Sequence, residues 1–146
     1  MTKFKKFFLL FIFILSFNSI SLAEDKYFNE GLKLFNVEKY EDAKFLFERS
    51  IVFDPKASDS YLYLAKIYEV EKNSKKEEKN IETTLLLDPT NEEALLMSMR
   101  IALEKTNYSK VKSLSETFSR VCKKLCNEKN EIIETLNNLE PKNESW

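Results

Sequence analysis

An all-α solenoid of about three helix-turn-helix hairpins, closed by a C-terminal capping helix, is the fold this sequence predicts. Three observations predict it. The 146 residues hold one Gly and three Pro, far too few to punctuate a strand-and-turn architecture. Apolar residues recur at three- and four-residue spacing, as in Leu62, Ala65, Tyr68 and in Leu95, Met99, Ala102. The chain also repeats itself every 34 residues. With 43% hydrophobic and 32% charged residues it is neither a disordered tail nor a multi-span membrane protein, and its length suits one domain plus a targeting segment.

That segment comes first. Lys3, Lys5 and Lys6 precede an apolar run from Phe7 to Phe17, broken only by Ser16, and Ser21-Leu22-Ala23 ends it with small residues at the −3 and −1 positions. This three-part pattern predicts a secretory signal peptide over 1–23, cleaved after Ala23, and hence export to the periplasm or another extracytoplasmic space. The alternative is a signal anchor in the cytoplasmic membrane. Phe7 to Ala23 is 17 residues, at the lower limit of the roughly 17–25 that cross a bilayer, and Asn18, Ser19 and Ser21 shorten its apolar part. No Cys adjoins the site, which argues against lipoprotein processing. Removing the three lysines of residues 1–23 leaves 20 basic and 24 acidic residues, a net charge of −4 that attracts no polyanion. No nucleic-acid partner is expected.

The repeats follow. In a frame starting at Glu24, Ile51-Val52-Phe53-Asp54-Pro55 falls on Leu85-Leu86-Leu87-Asp88-Pro89. In the same register Tyr27 meets Tyr61, Phe28 meets Leu62, Gly31 meets Ala65 and Phe47 meets Ile81. A weaker third copy starts at Glu92, and two periods separate Tyr40 from Tyr108 and Leu46 from Leu114. Helices are expected at about 25–37, 40–53, 58–72, 75–87, 91–105 and 108–125. Pro55 and Pro89 end the second and fourth of these, because proline lacks an N–H and disfavours helical geometry in the residue before it. Lys123 stands where the third Pro would, so the sixth helix is expected to run on towards Cys126. The mixed-charge run Glu71 to Lys79 reads as a solvated turn and helix start. Residues 128–139 form the cap, with Ile132, Ile133, Leu136 and Leu139 on one stripe, and the tail 141–146, which carries Trp146, is expected to be loose.

These residues resemble the tetratricopeptide repeat family, whose unit is a helix-turn-helix of this length. The family's large residue near position 4, small residues at 8 and 20, aromatic near 24 and Pro at 32 are matched at 24–57 by Tyr27, Gly31, Ala43, Phe47 and Pro55. Repeat 58–91 keeps Tyr61, Ala65, Ile81 and Pro89 but has Glu77 at position 20. Repeat 92–125 departs further, with Met99, Val111 and Lys123 at the small, small and Pro places. Gly31 and Ala65 sit where the two helices of a hairpin cross, so a small side chain there lets the axes approach.

The resemblance implies a curved stack whose first helices line a concave groove, through positions 2, 5, 9 and 12 of each unit. Here these are Asp25, Phe28, Leu32, Phe35; Asp59, Leu62, Lys66, Glu69; and Glu93, Leu96, Arg100, Leu103. Such a strip, apolar at one end and mixed in charge at the other, suits an extended or helical peptide. The subtype that clamps acidic C-termini has Lys and Asn at positions 5 and 9 of the first unit. Phe28 and Leu32 stand there, and Glu93 replaces another clamp Lys, so that subtype is not expected. Cover by the N-terminus or by self-packing would instead account for Phe28, Leu32 and Phe35.

Chemistry-bearing residues are scarce. The chain has no His, which removes the commonest general base and metal ligand, and two cysteines alone build no structural zinc site. No catalysis, cofactor or metal is expected. In an oxidising compartment Cys122 and Cys126 favour a disulfide, yet residues four apart on a helix have Cβ atoms about 5–6 Å apart where a bridge needs about 3.5–4.5 Å. A bond therefore requires the helix to end between Cys122 and Asn127; plain thiols are the alternative. A redox-active dithiol is the third reading, without the usual Cys-x-x-Cys spacing or a βαβ setting. The function expected is that of an exported adaptor that holds a protein or peptide in its groove. Its rival is a structural accessory subunit of an envelope assembly, contacting its neighbours through the convex face.

Overall fold

The computed structural model describes residues 19–139 and, among them, seven helices and no strand. The lysine cluster and apolar run that end at Phe17, and the tail with Trp146, lie outside the described residues. In chain order the helices are α1 (Ser19–Asn36), α2 (Tyr40–Phe53), α3 (Ser58–Val70), α4 (Ser74–Leu87), α5 (Glu92–Glu104), α6 (Tyr108–Val121) and α7 (Lys129–Leu139). They form three hairpins, α1–α2, α3–α4 and α5–α6, stacked in sequence and closed by α7. This is an α-solenoid. Helix α1 is already helical at Ser19, the first described residue, ahead of the expected 25.

The core is a series of seams between neighbouring hairpins. Ala43 and Phe47 meet Leu64, Ile67 and Tyr68 in the first. Leu62, Ala65 and Ile81 meet Ala94, Met97 and Ile101 in the second. Leu95, Met99, Val111 and Phe118 meet Ile132 and Leu136 of the cap in the third. On the cap stripe, Ile132 and Leu136 are buried, Ile133 is half-buried and Leu139 remains exposed, because the stripe runs past the end of the surface it covers. Gly31 lies against Phe47, whose ring is fully buried. A Cβ at residue 31 would sit 2.9 Å from a ring carbon of Phe47, so the first hairpin closes only around a glycine. The fully buried hydroxyls of Ser50, Ser60 and Thr84 are paired. Ser60 donates to Ser50 at 3.0 Å, and Thr84 donates to the Asn80 carbonyl at 2.9 Å.

Every first helix stops the same way. Glu38, Lys72 and Thr106, spaced by the repeat, have φ of 61°, 56° and 54°. The N–H of the next residue reaches back five residues to a helix carbonyl, Lys39 to Leu34 at 3.0 Å, Asn73 to Tyr68 at 2.8 Å and Asn107 to Ala102 at 2.8 Å. That is a Schellman stop, a place where glycine is usual and none occurs. The following helices α4 and α6 are then capped by Asn73 and Asn107, whose side chains accept the N–H of Lys76 and Lys110.

Every second helix also stops on the period. Asp54 and Asp88 leave the helix in extended conformation ahead of Pro55 and Pro89, and each carboxylate accepts a turn N–H, from Lys56 at 2.9 Å and Thr90 at 3.0 Å. The third stop falls on Cys122, 34 residues after Asp88, with φ −61° and ψ 139°. Helix α6 therefore ends at Val121 and does not run on towards Cys126. Cys122 and Cys126 are joined in a disulfide across the turn, with Cα atoms 5.3 Å apart.

The left-handed residues give the first prediction. An L-residue at positive φ costs about 1–2 kcal/mol, which glycine avoids at some loss of chain entropy. Glu38→Gly, Lys72→Gly and Thr106→Gly should each stabilise the fold by about 0.5–1 kcal/mol, read as a higher Tm in circular dichroism. A lowered Tm in all three would refute the assignment of these stops.

Candidate functional site

The first helices α1, α3 and α5 line a concave face that holds two adjoining recesses. The first, of about 470 Å³, is walled by Phe28 and Leu32 of α1, Asp59, Leu62 and Tyr63 of α3, and Glu93 of α5. The second, of about 220 Å³, is walled by Lys66, Glu69, Leu96, Met97 and Arg100. Glu93 and Leu125 border both, so the two form one groove.

The groove's floor is aromatic at the α1 end. Tyr63 lies at the centre, its ring 5.7 Å from that of Phe28, 5.1 Å from Phe35 and 5.2 Å from Phe47. Phe28 thus borders the first recess while being held by Phe47 and Tyr63. Phe35 packs between Tyr40 and Tyr63 and lines neither recess. Leu62 and Leu96 belong mainly to the core, with 5% and 4% of their surface exposed. Leu103 packs against the last seam and likewise lines neither recess. The side chains that line the recesses and keep exposed surface are therefore Phe28 and Leu32 at one end and Lys66, Glu69 and Arg100 at the other. Phe35, Leu62, Leu96 and Leu103 hold that surface in place, because a first helix in this stack must bury the same stripe against its neighbours. Asp25 lies outside the residues whose side chains are described.

Charge is arranged along the groove. The Lys66 ammonium pairs with the Glu93 carboxylate and lies 4.7 Å from the centre of the Tyr63 ring. Glu69 and Arg100 are exposed and belong to none of the ion pairs among the described residues. Asp59 is exposed in the first recess.

One wall was not anticipated from the repeat pattern: the disulfide loop. Lys124 and Leu125 border the first recess, and Leu125 and Glu128 the second. Leu125 is half-buried and packs against the last seam. Glu92, in the first turn of α5, fixes the loop. One carboxylate oxygen accepts the Lys123 N–H at 2.8 Å, the other accepts Lys124 at 3.1 Å and Leu125 at 2.7 Å. These backbone bonds, that of Leu125 foremost, hold the Glu92 carboxyl below its ordinary value. The signal that could have found this wall is the register of Cys122 with Asp54 and Asp88, which marks a stop where the Pro register at Lys123 does not.

Glu77 is a further departure. The mixed-charge run around it predicts a solvated helix start, yet 92% of its surface is buried, because position 20 of the repeat faces the partner helix, as Ala43 and Val111 do. Burial, then the nearby carboxylates of Glu69, Glu104 and Glu78, push its carboxyl above the ordinary 4.5.

Two pH effects of opposite sign follow. Glu92, lowered on folding, contributes stability that is complete above 4.5 and lost as the pH falls through its lower folded value. The amide shifts of Lys123 and Leu125 in an NMR titration should move together below that value, and stay fixed in Glu92→Gln; independent movement would refute the tie. Glu77, raised on folding, contributes stability that is complete below 4.5 and lost as the pH rises through its folded value. Glu77→Gln should raise the Tm at pH 7 by a few degrees and lose that advantage below pH 4.5. An unchanged Tm at pH 7 would show that the carboxylate is hydrated in place.

Comparison with known proteins places the fold. No family model matches the sequence, and no curated protein matches it. Solved structures do. The TPR2B domain of yeast Sti1, in its pHsp70 complex, superposes with a TM-score of 0.73 at 10% identity over 82% of this chain and 99% of that one. The type III secretion chaperone SycD of Yersinia enterocolitica, in complex with a peptide of the translocator YopD, gives 0.67 at 14% identity over 78% of this chain and 89% of that one. PilF of Pseudomonas aeruginosa gives 0.65 at 21% identity over 83% of this chain and 54% of that one. The fold is tetratricopeptide-like.

Proposed function

We propose that this chain is an exported, non-catalytic adaptor that holds an extended segment of a partner protein in its concave groove. The observation that carries the reading is the groove itself: two joined recesses with half-exposed apolar side chains at one end and exposed charges of both signs at the other. An anchoring apolar side chain fits beside Leu32 and Phe28, and the segment then runs past Lys66 towards Glu69 and Arg100. Two of the structural neighbours, the Sti1 domain and SycD, are described as complexes with pHsp70 and with a YopD peptide, which supports a peptide as the occupant. Export rests on the pattern of Lys3 to Ala23 and would place the partner in the cell envelope. Non-catalysis rests on the absence of His and of any expected nucleophile-base pairing.

A second reading has its own observation. Phe45, Val52 and Leu86, on the second helices, are 57%, 77% and 81% exposed, and they would give a structural subunit of an envelope assembly an apolar outer contact.

One experiment separates the two. The natively exported protein is cross-linked, captured and analysed by mass spectrometry beside Leu32→Asp/Arg100→Glu and Phe45→Ser/Leu86→Ser variants. Phe28 and Phe35 are unsuitable targets, because their rings hold the Tyr63 cluster together. Loss of one stoichiometric partner in the groove variant alone, with helicity retained, is the expected outcome. Loss only in the outer-face variant would replace the adaptor reading with the structural one.

A further inference from the structure

The first two second-helix stops are made at Asp-Pro, on which a thiol does not act. The third falls at a bond that a thiol can reverse. Ser119 to Cys126 contains neither Gly nor Pro, so nothing in its side chains ends a helix. Where it ends, the disulfide begins. Helical residues four apart hold their Cβ atoms about 5–6 Å apart, beyond the reach of an S–S bridge, so the bridge and a continuous helix through Cys126 exclude one another.

The two arrangements also compete for the same donors. In the bridged loop the N–H groups of Lys123, Lys124 and Leu125 donate to Glu92. In an extended α6 they would donate to the carbonyls four residues back, those of Ser119, Arg120 and Val121. Leu125 moves with them: bordering both recesses in the loop, and carried onto the surface of α6 in the helix.

We infer that the Cys122–Cys126 disulfide is a redox gate on the groove, which is complete only in the oxidised protein. The inference rests on the adaptor reading and adds its regulation. The chemistry balances with an external dithiol. Its thiolate attacks one sulfur and expels the other as a thiolate. Its second thiol then closes the reagent's own disulfide, so that the two cysteines gain two electrons and two protons in all. An oxidising compartment keeps the wall in place, and a reducing one opens it, so a copy still in the cytoplasm would not engage its partner.

The test uses the full chain, oxidised and after dithiothreitol. Backbone amide exchange at Lys123 to Leu125 and ellipticity at 222 nm report the loop with no partner present. Binding is read with the tightest peptide selected from a random linear library on the oxidised protein, by titration. Reduction should gain helical signal, shift the protection of those three amides away from its Glu92 dependence, and weaken the peptide roughly tenfold, about 1.4 kcal/mol. Cys122→Ser/Cys126→Ser should reproduce the reduced state, and Leu125→Ala should weaken the oxidised protein alone, which separates the wall from any general loss of stability. Unchanged protection and ellipticity on reduction would overturn the gate while leaving the adaptor reading intact. A peptide indifferent to Leu32→Asp, or no selected peptide at all, would overturn the adaptor reading and the gate with it.

Discussion

The whole molecule depends on helices that stop on schedule. Its sequence is rich in Lys, Glu and Leu, all good helix formers, and it holds a single glycine. Left to propensity, such a chain would continue each helix past the point where a hairpin must fold back. A stack of hairpins buries its apolar stripes only if every helix turns after the same number of residues, because each seam is filled by side chains of equal register from consecutive units. The stops are therefore the constraint, and they come in two series. Glu38, Lys72 and Thr106 turn the first helices by entering left-handed geometry. Asp54, Asp88 and Cys122 end the second helices in extended geometry, the last of them ahead of Lys123 where the others precede Pro.

The fold was legible because the repeat made each position's environment readable twice. Matched Asp-Pro blocks and the pair Gly31 and Ala65 specify hairpin length and crossing, and these are the features that pack the seams. What escaped reading were positions whose role overrides their residue type. Glu38, Lys72 and Thr106 carry no propensity for positive φ; their turns are imposed by the packing of the helices on either side. Glu77 reads as a surface residue by composition and is buried by its place in the period. Lys123 is no breaker, which predicts a sixth helix that runs on; it stops at Val121, where Cys122 turns the chain into the disulfide loop and Glu92 takes the freed N–H groups.

The groove was legible in outline for the same reason and blurred in detail for another. Family position assigns residues to the concave side, but a first helix has to cover its neighbours as well as face the cleft. Leu62 and Leu96 are consumed by that duty, and Phe35 by the Tyr63 cluster. Leu32 and Arg100, with less to hold together, retain surface. Leu125 occupies no groove position of the period; it lies between α6 and the cap and reaches the cleft because the chain turns at Cys122, the stop that the register with Asp54 and Asp88 marks.

That turn explains why the third repeat departs from the pattern set by the first two. Pro55 and Pro89 end their helices partly by lacking an N–H. A proline at 123 would end α6 equally well, yet it would remove the donor that meets Glu92 at 2.8 Å. Position 123 cannot both supply a proline stop and anchor the loop to α5. With Lys123 the N–H is kept, the carboxylate of Glu92 gathers three consecutive donors, and the burden of ending the helix passes to the neighbouring cysteine. With the helix ended at Cys122 and the loop tied to Glu92, Leu125 borders the cleft, so the way this helix ends shapes the surface of the groove.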